Sequence, residues 1–257
     1  MPQPELPAPR LVLATDMDGT LVGHPAYLRQ LQEWLLERRG STALVYLTGR
    51  TLESALDLIG SDGLLPPDVL VTDVGTRIFY GPRWREDRAW AVEMGRRWDG
   101  QAVEAALRGI TGLAGQGVRP PLRRAYHLHR PVEEVLPAVA RSLERAGLAV
   151  TVVISSGKDL DVLPAGAGKG PALRYLRRKA GWPPGRILVA GDSGNDLSMI
   201  QLGFPAVVVG NARPELQGRR LPPWAWRASL PCAGGILEAL ERFFPDLTGP
   251  AVRAWRK

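Results

Sequence analysis

The chain has 257 residues, 45% hydrophobic and 23% charged, which suits an ordinary globular protein with length for a full core in one domain or two. These figures exclude a disordered chain and a small disulfide scaffold, and no apolar run reaches the ~18 residues of a membrane-spanning helix. The formal net charge of +7 comes almost wholly from arginine, since lysine is confined to Lys158, Lys169, Lys179 and Lys257; the arginines are scattered in short doublets, a pattern of solvated surface rather than a nucleic-acid-binding arm.

In chain order, the Pro-rich stretch Met1 to Arg10 lacks the marks of a secretion signal and reads as a short tail. Leu11 to Ala14 is an apolar run ending in the polar loop Thr15 to Thr20, which predicts a buried strand. After Pro25, suited to a first helical turn, Leu28, Leu31 and Leu35 recur at helical spacing until Gly40. A strand over Ala43 to Leu47, a helix over Thr51 to Ile59 and a strand over Val69 to Val71 follow. The last third repeats the alternation: helix Gly170 to Ala180, strand Ile187 to Ala190, helix Asp196 to Leu202, strand Ala206 to Val209, helix Gly234 to Phe244. Strands alternating with helices in short units predict a parallel sheet covered on both faces.

The segment 81–165 has a different texture. A helix near Gln101 to Leu107, a strand over Ala125 to Leu128, a helix over Val132 to Ala146 and strands over Ala149 to Ile154 and Leu160 to Leu163 suggest an α+β insert. Its edges, Gly81-Pro82 and Pro164 to Gly168, have linker composition. Its tryptophans, Trp84, Trp90 and Trp98, suit stacking on a ligand ring or, better, a hydrophobic cluster between insert and core. The single cysteine, Cys232, forbids an intrachain disulfide, fits a reducing cytoplasm and reads as a small buried residue.

Three polar segments follow directly on predicted strands. Asp16 and Asp18 are two apart in Asp16-Met17-Asp18-Gly19-Thr20, so an extended chain presents both carboxylates to one point. An Asp-Gly turn is the plain alternative. Two such charges repel unless a proton or cation lies between them, and Mg2+ with oxygen ligands is the simplest answer beside a phosphate. Thr48-Gly49-Arg50 and Gly191-Asp192-Ser193-Gly194-Asn195-Asp196 also sit at strand ends. In a parallel sheet those ends share one edge, where ligands bind, so Asp16, Asp18, Thr48, Asp192, Asn195 and Asp196 are expected to converge. Lys169 opens a helix whose end attracts anions; an anion in front of it explains a cation there, and a solvent-facing lysine is the alternative.

In this order the motifs resemble those of the haloacid dehalogenase superfamily of phosphohydrolases. The resemblance implies an α/β fold with a Rossmann-like parallel sheet core and an inserted α+β cap domain. It implies that Asp16 attacks phosphorus, that Asp18 protonates the leaving oxygen and then activates water, and that Thr48 and Lys169 hold the phosphoryl oxygens. Mg2+ falls to Asp16, Asp18 through its main chain, and Asp192, with Asp196 in support. From Thr48 to Lys169 the chain runs far longer than the about 30 residues of one strand-helix-strand unit. The core is therefore expected over 1–80 and 166–257, and the cap over 81–165.

A finer resemblance is to the sucrose-phosphate phosphatase family. It rests on Tyr46 to Arg50, Thr72 to Tyr80, Tyr126-His127-Leu128, Ser155 to Asp161 and Gly210 to Leu216. It implies hydrolysis of sucrose 6-phosphate, with related disaccharide and glycoside phosphates as alternatives. Gly49, Arg50 and Asn195 are the expected substrate contacts in the core, and Lys158 and His127 those in the cap. His127 equally fits a core histidine, and Lys158 a salt bridge to Asp159 or Asp161. The expected partner is a small-molecule sugar phosphate, with no nucleic acid or membrane, a monomeric state, and a sucrose-phosphate synthase as possible neighbour.

Overall fold

The computed structural model describes residues 9–117 and 119–248. Most of the expected N-terminal tail therefore lies outside the described residues. The elements are β1 (Leu11–Thr15), α1 (Pro25–Glu37), β2 (Thr42–Leu47), α2 (Leu52–Ser61), β3 (Val69–Thr72), β4 (Arg77–Tyr80), β5 (Arg85–Glu86) and α3 (Arg88–Gly95). Next come α4 (Gly100–Leu107), β6 (Leu113–Gly115), β7 (Arg124–Leu128), α5 (Val132–Arg145), β8 (Val150–Ser155) and β9 (Asp159–Pro164). The chain continues through α6 (Lys169–Ala180), β10 (Ile187–Gly191), α7 (Leu197–Ile200), β11 (Ala206–Val208), α8 (Pro214–Gln217), β12 (Ala225–Arg227), α9 (Ala233–Phe243) and α10 (Pro245–Thr248). Among the described residues, no helix is long and apolar enough to cross a membrane.

Eight strands form the main sheet in the order β12-β11-β10-β1-β2-β3-β4-β5. All neighbours from β12 to β3 are parallel, and β4 and β5 extend the edge antiparallel. β1 is central and buried on both faces, and its pleat divides the core. Val12 and Ala14 face Ala172, Leu173 and Leu176 of α6 with Met199 and Ile200. Leu11 and Leu13 face Leu31 and Leu35 of α1 and Ile236, Leu237 and Leu240 of α9. The helical spacing of leucines in α1 thus marks the stripe that covers the sheet.

A second, antiparallel sheet, β6-β7-β9-β8, is built wholly from the expected insert. Tyr126, Leu128, Leu160 and Val162 turn one of its faces onto Val103 and Leu107 of α4 and Val135, Val139 and Leu143 of α5. Asp99 caps α4, accepting from the amides of Gln101 (3.0 Å) and Ala102 (2.9 Å).

The start of the insert behaves differently from its remainder. β5 pairs with β4 in the main sheet, and Trp90 and Met94 of α3 join the α6 side of the core. Asp87 caps α3 at the Trp90 amide and is gripped by Tyr80, Tyr175 and Lys179. Residues 100–164 are the ones that build the separate sheet and its helices. The tryptophans separate accordingly: Trp90 in one core cluster, Trp84 against the other, and Trp98 against the cluster of the small sheet. Trp90 and Trp84 thus do join insert to core, on opposite faces of the main sheet, whereas Trp98 stays within the insert. Cys232 is buried, as expected.

Candidate active site

The carboxyl end of β1 delivers Asp16 to the crest of the sheet, where its amide donates to the Ala190 carbonyl at 3.0 Å. Lys169, the first residue of α6, is fully buried. Its Nζ donates to Asp16 Oδ1 (2.5 Å) and Asp196 Oδ1 (2.7 Å), so the solvent-facing alternative for this lysine is excluded. The second oxygen of Asp196 accepts from the amides of Asp192 (2.9 Å) and Ser193 (3.0 Å), which folds the Gly191–Asp196 loop around it. Asp192 accepts from Thr20 Oγ1 at 3.1 Å.

Asp16, Asp192 and Asp196 bring carboxylate oxygens within 4.8 Å of one another, all three residues buried. Burial pushes the Asp16 carboxyl well above its ordinary range; Lys169 pulls it down, and Asp196 and Asp192 push it up. Burial, followed by Asp196, pushes Asp192 up to about 6. For Lys169 burial acts the other way, but the charges of Asp16 and Asp196 outweigh it, so the ammonium holds its proton more tightly than usual.

The Lys169 ammonium, with the exposed Arg213 guanidinium 3.7 Å from Asp192, still leaves the three buried carboxylates in excess, and that excess is what a hard divalent cation offsets. The all-oxygen donor set suits Mg2+. Asp196 has both oxygens engaged by Lys169 and the loop amides, so a metal here would be held directly by Asp16 and Asp192, with Asp196 bracing them. Gly19 completes the cradle: at φ +76° a Cβ there would lie 2.8 Å from Asp192 Oδ2.

Asp18 does not join this cluster. Its half-exposed carboxylate is held by Arg50 in a two-pronged pair, Nε to Oδ2 and Nη2 to Oδ1, both at 2.7 Å. The two carboxylates diverge because β1 ends at Thr15, before either aspartate, and the chain turns at Met17, whose carbonyl accepts from the amides of Leu21 and Val22. Arg50 is fixed in turn by Ser54 Oγ (2.9 Å), and its amide donates to Oγ1 of the buried Thr48 (3.1 Å).

Between the sheet crest and the small sheet lies a cavity of about 310 Å³. Asp16, Asp18, Gly49, Arg50, Asp192 and Asn195 line its floor, and Gln116, Arg123, Ser155, Ser156 and Asp159 its roof. His127 and Lys158 are both exposed and lie outside this lining. His127 is no core histidine, for its Nδ1 stands 3.1 Å from Asp159 Oδ1, which also accepts from Gln116 Nε2 at 3.0 Å. Lys158 sits in the tight turn between β8 and β9. Sequence reasoning missed Gln116, Arg123 and the roof position of Asp159. A signal for two of them existed: counting in twos from His127 reaches Arg123, and Asp159 is the cross-strand partner of His127.

The chain matches the family model for Sucrose-6F-phosphate phosphohydrolase over residues 9–244. It is 33% identical to "Probable sucrose-phosphatase 2" of Arabidopsis thaliana over 91% of its length and 60% of that protein, and so spans about three fifths of such plant relatives. A mannosylfructose-phosphate phosphatase of Agrobacterium fabrum is 32% identical over 81% of this chain and 86% of its own. Among solved structures, the sucrose-phosphatase of Synechocystis sp. PCC6803, in complex with sucrose and phosphate, superposes with a TM-score of 0.87 at 36% identity, covering 91% of this chain and 98% of that one. The haloacid dehalogenase-like hydrolase yhjK of Bacillus subtilis shares the fold, with a TM-score of 0.65 at 21% identity over 91% of this chain and 92% of its own. The buried Asp16–Lys169–Asp196 arrangement and the extent of these matches agree, and the chain belongs to the sucrose-6F-phosphate phosphohydrolase family.

Proposed function

We propose that the chain hydrolyses a sugar phosphate, sucrose 6-phosphate first among them, to the free sugar and phosphate. The observation that carries the chemistry is Asp16: a buried carboxylate with one oxygen held by Lys169, at the floor of a cavity roofed by a second sheet. The other Asp16 oxygen attacks phosphorus as the bond from phosphorus to the sugar oxygen breaks, and the departing oxygen takes a proton from Asp18. Water then attacks the aspartyl-phosphate, losing its proton to Asp18 and releasing phosphate from Asp16. Arg50 holds the Asp18 side chain in place through its two-pronged pair. Lys169 and Thr48 stabilise the phosphoryl oxygens. Bound at Asp16 and Asp192, Mg2+ supplies positive charge against the phosphate dianion.

The cap in this reading comprises 100–164 rather than 81–165, because β5 and α3 belong to the core sheet. Its roof offers Gln116 and Asp159 to the hydroxyls of the leaving sugar, with His127 beside Asp159 and Lys158 next to it in the chain as further contacts. The similarity to a structure holding sucrose and phosphate supports the sucrose reading. The Agrobacterium relative makes mannosylfructose phosphate the second candidate. A reducing cytoplasm, a monomeric state and a neighbouring sucrose-phosphate synthase complete the proposal.

The test is a phosphate-release screen, with and without Mg2+, over sucrose 6-phosphate, mannosylfructose phosphate, trehalose 6-phosphate, glucosylglycerol phosphate and hexose phosphates. Sucrose 6-phosphate should give the highest kcat/KM, turnover should need Mg2+, and Asp16→Asn should abolish it. A preference for a simple hexose phosphate would overturn the disaccharide reading. Full turnover in Asp16→Asn would overturn the nucleophile.

A further inference from the structure

Two contacts tie the small sheet to the core, one on each flank of the cavity. On the first flank, Arg123, just before β7, donates from Nη1 to the Gly49 carbonyl at 2.7 Å. Its buried guanidinium also lies between two carboxylates, Asp161 of the small sheet (3.4 Å) and Asp73 of the core (3.8 Å). Asp73 Oδ1 and Arg123 Nε are buried without a hydrogen-bond partner among the described residues. On the second flank, Glu215 of α8 accepts through one oxygen from the amide of Ser156 in the small sheet (2.8 Å) and that of Gly194 in the core (3.2 Å). Close packing accompanies this contact, for a Cβ on Gly194 would lie 2.3 Å from the Ile154 carbonyl oxygen.

We infer that Arg123 and Glu215 are positioning residues, a pair of clasps that seat the cap and, in the same contacts, set the two loops that carry the phosphate-binding groups. Gly49 stands between Thr48 and Arg50, and Gly194 between Asp192 and Asp196. Each clasp therefore ends on a loop of the reaction centre rather than on inert scaffold, and seating the cap fixes those loops. The first clasp also offsets like charge: without the guanidinium, a buried carboxylate of the cap faces one of the core, and the seam must bear either their repulsion or the uptake of a proton. The second has no such pair, since a carboxylate shared by two amides needs only an acceptor at that place. This inference rests on the reading of the chain as a cap-bearing phosphatase.

The experiment compares the full chain with Arg123→Ala, Arg123→Lys, Glu215→Ala and Glu215→Gln, by backbone amide exchange and by kcat and KM on sucrose 6-phosphate at saturating Mg2+. In both alanine variants exchange should rise at least tenfold in 48–50, 154–157 and 192–196 while the central strands keep their protection, and kcat should fall at least tenfold. Glu215→Gln keeps an acceptor oxygen and should return kcat to within threefold of the parent, whereas Arg123→Lys, with one point charge for three contacts, should recover only part. Exchange and kcat within twofold of the parent in both alanine variants would overturn the inference. So would exchange rising equally through the central strands, which marks loss of folding rather than of a clasp. If the parent hydrolyses none of the sugar phosphates, the proposed function falls, and the exchange comparison by itself still decides whether the clasps hold the cap.

Discussion

Replacing Lys169 by methionine removes the only cation that, among the described residues, stands within hydrogen-bonding reach of the buried Asp16 and Asp196, while keeping the length of an apolar stem. Breaking a buried ion pair by deleting one partner costs about 3–5 kcal/mol. Set against the roughly 5–15 kcal/mol that holds a domain folded, that is a large share. For a chain of this size it lowers Tm by roughly 10 °C. The loss should depend on pH in a defined direction. Burial already raises the Asp16 carboxyl, and Lys169 is the group that pulls it down, so in Lys169→Met its folded pKa rises further above the unfolded value of about 3.9. A carboxyl with a raised folded pKa keeps its stabilising share at acid pH and loses it as pH climbs through the folded value. The deficit of Lys169→Met relative to the parent should therefore be largest at pH 8 and shrink toward pH 5. Urea denaturation at both pH values in EDTA, with unchanged m-values, measures it. A deficit equal at the two pH values, or below about 1 kcal/mol at pH 8, would refute the account of Lys169 as the counter-charge of this cluster.

Two further outcomes follow from the same geometry. Arg50→Ala frees the Asp18 carboxylate from its two-pronged hold, and because general acid–base catalysis contributes about 10²–10⁴-fold, it should slow hydrolysis of an alkyl sugar phosphate far more than that of p-nitrophenyl phosphate, whose leaving group needs no proton. An unchanged kcat on the sugar phosphate would contradict a role through Asp18, whereas a loss shared by both substrates would place that role in the water step, which the two have in common. Gly194→Ala places a methyl group against the Ile154 carbonyl oxygen, so it should lower kcat/KM for the sugar phosphate roughly tenfold, about 1.4 kcal/mol in the barrier. Kinetics identical to the parent would show that the seam has slack there.

The parts of the molecule that sequence reveals are those in which one short segment does one job. Leu11 to Ala14 is apolar without interruption because β1 is covered on both faces, and the Asp, Thr and Gly-Asp segments follow strands because the crest of a parallel sheet is where polar loops emerge. The strand β5 escaped because two residues carry no period, and its pairing to β4 is tertiary. The helix α3 left a trace that was overlooked: Asp87 as a cap, then Trp90 and Met94 one helical turn apart. The Asp18–Arg50 pair joins residues 32 positions apart, and Arg123 meets Gly49 across 74; no local pattern specifies either. Lys169 opens a helix, as its sequence context predicts, yet the carboxylates beside it come together only through the pairing of β1 and β10.

The two faces of the cap sheet obey different constraints. Tyr126, Leu128, Leu160 and Val162 are committed to α4 and α5, while the alternate positions, Arg123, His127, Asp159 and Asp161, look away from that core. Gln116, His127 and Asp159 form a polar cluster on a surface whose hydrophobic support lies on the opposite side of the pleat. Substitutions at these three positions are thereby insulated from the forces that fold the cap. On the proposed reading, the sugar taken can change through substitutions on this face while the residues that pack α4 and α5 onto the other stay as they are.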